Sequence, residues 1–319
     1  MGFRVSPAPH VRSRRTTQAV MGTVLLALLP VYVAAAYYFG WRVLFLTALS
    51  VVSCVGFEAL AQWIAKRPIT IRDLSAVVTG VILSLNLPAS APWWMVLVGA
   101  AVAILLVKQL FGGLGCNFLN PALAARAVLL ASWPTRMTAF TSPVSRFFQA
   151  DAVSSATVLA KEGAYNASLS QLFFGDIPGS MGEVCKLAIL VGLAVLLLSG
   201  VITWDVPVSF IGSFIVFAFL FGLAKDGFTN LPDMLLRPVL SGGVLFGAVF
   251  MATDYVTNPM TRNGRLIFGV GCGLLVAVIR YFGSYPEGVT YAILIMNIAT
   301  PLIDRWVKPR VYGEVKSHA

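Results

Sequence analysis

The chain has 319 residues, 58% of them hydrophobic and only 11% charged, with a mean hydropathy of +0.84, whereas a soluble domain carries roughly 25% charged residues. This excludes a soluble globular protein and predicts an all-α polytopic membrane protein, since a crossing needs about 20 apolar residues and the chain has room for about ten of them. Lys and Arg number 23 against 13 Asp and Glu, a formal net charge of +10, which on so apolar a chain reads as orientation charge rather than as a surface for nucleic acid.

The two histidines, His10 and His318, lie in the terminal tails, and Cys54, Cys116, Cys185 and Cys272 are far apart with no C-x-x-C. Histidine catalysis, a zinc finger and a single-chain iron–sulfur centre are therefore not expected.

The first apolar run, Ala19 to Phe39, follows Arg12, Arg14 and Arg15 and contains Ala34-Ala35-Ala36, features shared with a cleaved signal peptide. Its length and the aromatic cluster Tyr37-Tyr38-Phe39-Gly40-Trp41 at its end predict a retained first helix instead. Further spans are expected at Val43 to Ala65, Leu74 to Leu87, Trp93 to Phe111 and Pro121 to Trp133, then at Val184 to Ser199, Val206 to Leu223, Val239 to Ala252, Leu266 to Phe282 and Val289 to Ile303. With an inner N-terminus, the inner segments hold 14 of the 23 basic residues, Lys108 among them, while short outer loops keep Arg42, Lys225 and Arg237. The positive-inside rule then puts both termini in the cytoplasm.

A shift of 167 residues lays Val77-Val78-Thr79-Gly80 on Val244-Leu245-Phe246-Gly247, and a shift of 171 lays Leu110-Phe111-Gly112 on Tyr281-Phe282-Gly283. Short spans recur at matching places in the two halves, a pattern that points to broken helices and a site at a repeat interface. Because each unit would cross five times, the second would be inverted relative to the first. The expected organisation is a five-helix membrane repeat over 1–133, an outer loop over 134–183 and a second five-helix repeat with a cytoplasmic tail over 184–319.

The gap from Ser132 to Glu183 is 52 residues long, beyond the ~12–15 at which a structureless connection becomes unusual. It contains Asp151-Ala152-Val153-Ser154-Ser155-Ala156-Thr157, where small hydroxyl and small apolar side chains let a bulky planar group approach the backbone. By itself the segment also suits a helix start or a turn.

D-x-x-S-x-A-T resembles the S-(T/G)-A-T pattern that carries covalent flavin mononucleotide (FMN) in Rnf complexes and sodium-pumping NADH:quinone reductases. The resemblance extends to Ser75-Ala76-Val77-Val78-Thr79-Gly80, Leu85-Asn86-Leu87-Pro88, Gly112-Gly113-Leu114-Gly115-Cys116-Asn117 with Asn120-Pro121-Ala122, Met251-Ala252-Thr253-Asp254, and Tyr285-Pro286-Glu287-Gly288 through Met296-Asn297. Together these look like the D component of the ion-translocating Rnf electron transport complex, related to the B component of the sodium-pumping reductase. Ser155 replaces a commoner glycine, Cys116 interrupts the Gly-rich turn, and Tyr255 stands where proline is the usual residue.

The resemblance implies that Thr157 is the attachment point, its hydroxyl forming a phosphoester with FMN. Ser154, Ser155, Asp151 and local backbone amides are its candidate neighbours, since a phosphate calls for hydrogen-bond donors. It further implies a bacterial inner-membrane complex whose other components are A, B, C, E and G. This chain would be one part of a redox-driven translocase, not catalytic alone, with ferredoxin and NAD reached only through partners and with a second, non-covalent flavin allowed for. The coupling ion, sodium or proton, is left open.

A charge within a span costs roughly 2.5–3.5 kcal/mol on insertion scales, so Glu58, Arg126, Asp254, Arg280 and Glu287 need reasons. Asp254, Arg280 and Glu287 lie near span ends, where snorkelling to water is the alternative to a role. Glu58 and Arg126 lie deeper. Hard cations select oxygen ligands, so Glu58, Asp254, Asn120 and Asn297, with Arg126 as an intramembrane partner, are the candidates for an ion path. The competing function class is a self-contained inverted-repeat channel or transporter, which has no use for the outer loop and its phosphate-accepting threonine. Asn166-Ala167-Ser168 matches a glycosylation sequon and is taken as chance.

Overall fold

The structure, a computed structural model, describes residues 15–141, 168–227, 231–283 and 287–308 and the backbone of Ser154–Ser155. It is a helical bundle, and each of the ten predicted apolar stretches holds helix. In the first half these are α1 (Thr17–Phe39), α2 (Trp41–Ile64), α3 (Ser75–Leu85), α4 (Trp93–Gln109) and α5 (Pro121–Ser132). The short elements α6 (Pro134–Met137), β1 (Phe140–Thr141), β2 (Ser154–Ser155) and α7 (Leu169–Phe174) follow. The second half contains α8 (Lys186–Leu198), α9 (Asp205–Asp226), α10 (Leu231–Leu240), α11 (Val244–Phe246), α12 (Arg262–Phe282) and α13 (Val289–Trp306).

Four helices, α1, α2, α9 and α12, are each long and apolar enough to cross a membrane, and α10 with α11 and its extension to Met251 meets the same criterion only as a pair bent by 68°, a broken span or a re-entrant loop. This is a multi-pass membrane protein. The expected single span Val239 to Ala252 is therefore broken: Pro238 sits in the last turn of α10, and Gly242, at φ 69°, turns the chain out of it. A proline ring cannot sit in an uninterrupted helix without losing a backbone bond. The last turns of α4, Val102–Gln109, and the stretch Gly247–Met251 are wound as π-helix, which rotates the following side chains relative to an α-helical register.

Helices approach where side chains vanish. On α12, Gly269 and Gly273 face Ser209 and Ser213 of α9, so that an added Cβ would collide with the two hydroxyls. Small residues four apart let membrane helices come into backbone contact. α1 packs on α8 across the halves, and α2 packs on α3 and α4. Leu26, Val52, Leu198 and Val208 are left exposed on the outer faces, as expected of side chains that meet lipid rather than water.

The bundle has two ends. At the end where α1 begins, Arg15 donates to Gly200 O at 3.1 Å, Arg67 to Gly112 O at 3.3 Å, and Asp205 takes bonds from Arg262 and Arg265 at 3.1 and 3.2 Å. At the opposite end Tyr38 donates to Phe174 O at 2.9 Å and Trp94 meets Trp133 edge-on. The connection between α5 and α8 leaves and returns at that second end.

Candidate functional site

Two polar regions are buried in the bundle. In the first, Asn120 caps α5: its side-chain oxygen takes the backbone N–H of Ala122 and Leu123 at 3.1 and 3.3 Å, and Pro121 occupies the first helical position, where no N–H is needed. Asn120 also donates to Met251 O at 3.3 Å, and its backbone N–H reaches the Asn297 side-chain oxygen at 3.2 Å in the amide orientation that satisfies both ends. Two of the polar residues singled out from the sequence, one in each half, thus join α5 to α13.

Asn120 lines a cavity of about 100 Å³ with Ser75, Thr79, Lys108, Asn117, Thr253 and Asp254, whose remaining walls include Val78, Ile82 and Phe250. A neighbouring cavity of about 340 Å³ shares Val201, Ile202, Thr253 and Tyr255 with it. Asn258 and Arg265 line this second space, and among the described residues the Asn258 side-chain oxygen and the Arg265 Nε have no hydrogen-bond partner. Asp254, ahead of Tyr255 in the same loop, accepts from the Val256 N–H at 3.5 Å, and burial raises its carboxyl above the usual range.

Glu58 stands behind this cavity. It pairs with Lys108 at 2.8 Å, with side chains 1% and 2% exposed, and accepts from Gln109 at 2.9 Å. Lys108 also donates to the Ser75 hydroxyl at 2.6 Å. Lys108, counted above with the inner-segment charges, does not face water: it lies in the π-helical turns of α4 and is buried against Glu58, which compensates it. A buried ion pair of this kind is weak evidence for stability, but removing one partner strands the other.

The second region lies toward the opposite end, where the halves also meet. Arg126 of α5 donates to the Asn86 side-chain oxygen at 2.7 Å, to the Ser180 hydroxyl at 3.3 Å and to Glu287, with which it forms an ion pair. Glu183, 4% exposed, takes the Ser180 backbone N–H on Oε1 at 2.7 Å. Lys186, fully buried, donates to Glu183 O and to Gly242 O. Arg280 donates to Pro238 O at 2.6 Å and Ser241 O at 3.0 Å. Cations thereby satisfy the carbonyls freed where α10 ends, as cations do at helix C-termini. Neither Glu287 nor Arg280 snorkels; both are held by internal partners.

The loop segment singled out for flavin is only partly in view. Ser154–Ser155 pairs antiparallel with Phe140–Thr141, Phe140 opposite Ser155 and Thr141 opposite Ser154, and Ser90 holds Ala139 O just ahead of that strand. Asp151 and Thr157 lie outside the described residues. No cluster of metal-ligating side chains occurs among the described residues.

Sequence reasoning missed Glu183, Lys186 and the partner of Glu58. Glu183 and Lys186 flank the start of an apolar run, where charges ordinarily meet water, and the only signal against that was the absence of compensating polar residues in α8.

Known proteins place the chain. The family model described as the NQR2, RnfD, RnfE family matches residues 4–313. The chain is 46% identical, over 99% of its length and 97% of the relative's, to the D component of the Na(+)-translocating ferredoxin:NAD(+) oxidoreductase complex of Acetobacterium woodii. It is 38% identical, over 98% and 96% of the two lengths, to the D component of the proton-translocating ferredoxin:NAD(+) oxidoreductase complex of Clostridium ljungdahlii. Against the D component of the ion-translocating oxidoreductase complex of an Escherichia coli strain it is 37% identical over 99% of the chain and 100% of the relative. The chain belongs to the NQR2, RnfD, RnfE family.

Proposed function

We propose that this chain is the flavin-carrying membrane subunit of an ion-translocating oxidoreductase, working with the other Rnf components A, B, C, E and G in the bacterial inner membrane. In this reading ferredoxin and NAD act at partner subunits, and sodium or proton movement is coupled to electron transfer through the complex. The ten helical stretches are read as ten crossings in two inverted units, with the termini in the cytoplasm and the α5–α8 connection on the outer face. Support for that orientation comes from Lys66, Arg67, Arg72, Arg305 and Lys308, which gather with Arg15, Arg262 and Arg265 at the end where α1 begins.

Thr157 would hold FMN through its hydroxyl, and the bound group would supply electron transfer at neutral pH. The observation that carries this reading is the pairing of Ser154–Ser155 with Phe140–Thr141, found in a chain of this family. It ties the stretch directly before Ala156-Thr157 to the end of the bundle where α5 stops.

The residues also suit the second, non-covalent flavin. The two adjoining cavities together approach the size of small-molecule pockets, pair apolar walls with Asn117, Asn120 and Thr253, and expose an unused acceptor on Asn258 and an unused donor on Arg265. A planar ring with a polar edge and a hydroxylated tail fits that donor set.

In-gel fluorescence of the denatured chain, expressed with its maturation enzyme, tests the reading. The expected result is a fluorescent band in the wild type that is lost in Thr157→Ala. A dark wild-type band favours the channel reading.

A further inference from the structure

The Glu183 Oε2 atom lies against Gly243 in the break between α10 and α11, where an added Cβ would come within 2.9 Å of it. No N–H or O–H donor reaches that oxygen among the described residues. The Glu287 carboxyl lines the same small cavity as Glu183, and the two groups act on one another. An ionised carboxylate offers only acceptors, so two carboxyl groups bond to each other only when one carries a proton. Arg126 forms an ion pair with Glu287, which makes Glu287 the ionised member and leaves the proton to Glu183.

We propose that Glu183 and Glu287 hold one proton between them, a buried acid–carboxylate pair that is a proton-binding site where the two halves of the chain meet. The proton is taken up from water by the Glu183 carboxylate and returned to water, with no other bond made or broken. A cavity of about 10 Å³ beside the pair, lined by Asn86, Ser180 and Thr290 as well as by both glutamates, has room for roughly one water molecule to pass it on.

The small space argues for a proton rather than a metal cation. Arg126 from α5, Lys186 from α8 and Arg280 from α12 all act on the pair. A sodium ion adds the same single charge as a proton but needs a shell of several oxygen ligands, for which a space of about 10 Å³ leaves no room. A proton on Glu183 instead removes the expense of a second buried carboxylate. Burial, reinforced by the Glu287 carboxylate alongside, pushes the Glu183 carboxyl up to about 8, a range in which the site exchanges its proton near neutral pH.

The site is tied to the broken helix. Lys186 donates both to Glu183 O and to Gly242 O, and Arg280 holds the carbonyls of Pro238 and Ser241. An ionised Glu183 would compete with those carbonyls for the two cations, so that occupancy of the proton site biases the geometry of the break.

Infrared spectroscopy of the purified complex tests the proposal through the carbonyl stretch of a neutral carboxylic acid, which shifts on transfer to heavy water. The wild type is expected to show this band at acidic pH and to lose it as pH rises through about 8. Glu183→Gln is expected to remove it, and Glu58→Gln to keep it. Should Glu183→Gln fail to assemble, Glu287→Gln is expected to shift the frequency and the titration midpoint of the band. A wild type without the band, a band retained in Glu183→Gln, or one unmoved in Glu287→Gln would overturn the proposal. Flavin fluorescence read on the same samples keeps this outcome separate from the fate of the Thr157 reading.

Discussion

Arg126, in the middle of α5, and Glu287, just ahead of α13, form an ion pair that joins the two halves of the chain. The same guanidinium also holds Asn86 at the end of α3 and Ser180 in the segment leading to α8, so one side chain ties four separate stretches. Arg126→Ala strands Glu287 in a buried setting, and loss of one partner of a buried pair costs about 3–5 kcal/mol. Thermal denaturation in detergent should show a marked fall in Tm, with Arg126→Lys, which cannot form the same fork, intermediate. An unchanged Tm in Arg126→Ala would remove the pair from the account.

Glu58 and Lys108 invite a double-mutant cycle. Each single replacement, Glu58→Gln or Lys108→Met, leaves one buried charge without its counterion, whereas the double replacement removes both. The singles should each lose stability by about 3 kcal/mol or more and the double by less than their sum. Additive losses would show that the two side chains do not act on one another.

The Glu183 carboxyl gives a signed pH dependence. Its pKa in the folded chain is raised from an ordinary 4.5 to about 8, so the folded state binds the proton more tightly than the unfolded one. The stabilisation is fully present below the unfolded value and is lost as pH rises through about 8. Denaturation midpoints measured across that window should fall with pH in the wild type and vary less in Glu183→Gln. A wild-type midpoint that rises with pH would give the opposite sign.

At the α9–α12 contact, Gly273→Val places side-chain atoms where Ser213 Oγ and Phe210 O now stand. The helices can then meet only by separating, and expression of folded chain should fall sharply. Ser213→Gly relieves the hydroxyl clash but not the one with the Phe210 carbonyl, so rescue in the double variant should be partial. Full expression of Gly273→Val would mean that the two helices do not pack as described.

Much of the architecture was legible because an apolar helix in a membrane protein advertises itself by composition: each stretch from Ala19–Phe39 to Val289–Ile303 holds helix. The break at 241–243 was hidden, since Pro238-Val239-Leu240 reads as apolar whether or not the chain turns after it. Glu58 and Arg126 stood out as charges too deep to reach water. Their partners did not, because Lys108 lies 50 residues from Glu58 and Glu287 lies 161 from Arg126, and no local pattern links residues at such separations. Glu183 was obscured for a related reason: it belongs to a polar gap, and only the fold shows that this part of the gap is buried.

The central claim is that Thr157 carries FMN, and peptide mapping by tandem mass spectrometry tests it most directly. A purified complex, digested and sequenced, should yield the peptide spanning Ser154-Ser155-Ala156-Thr157 with the added mass of FMN located on Thr157, and Thr157→Ala should yield the peptide without it. Recovery of the wild-type peptide at its unmodified mass would contradict the account.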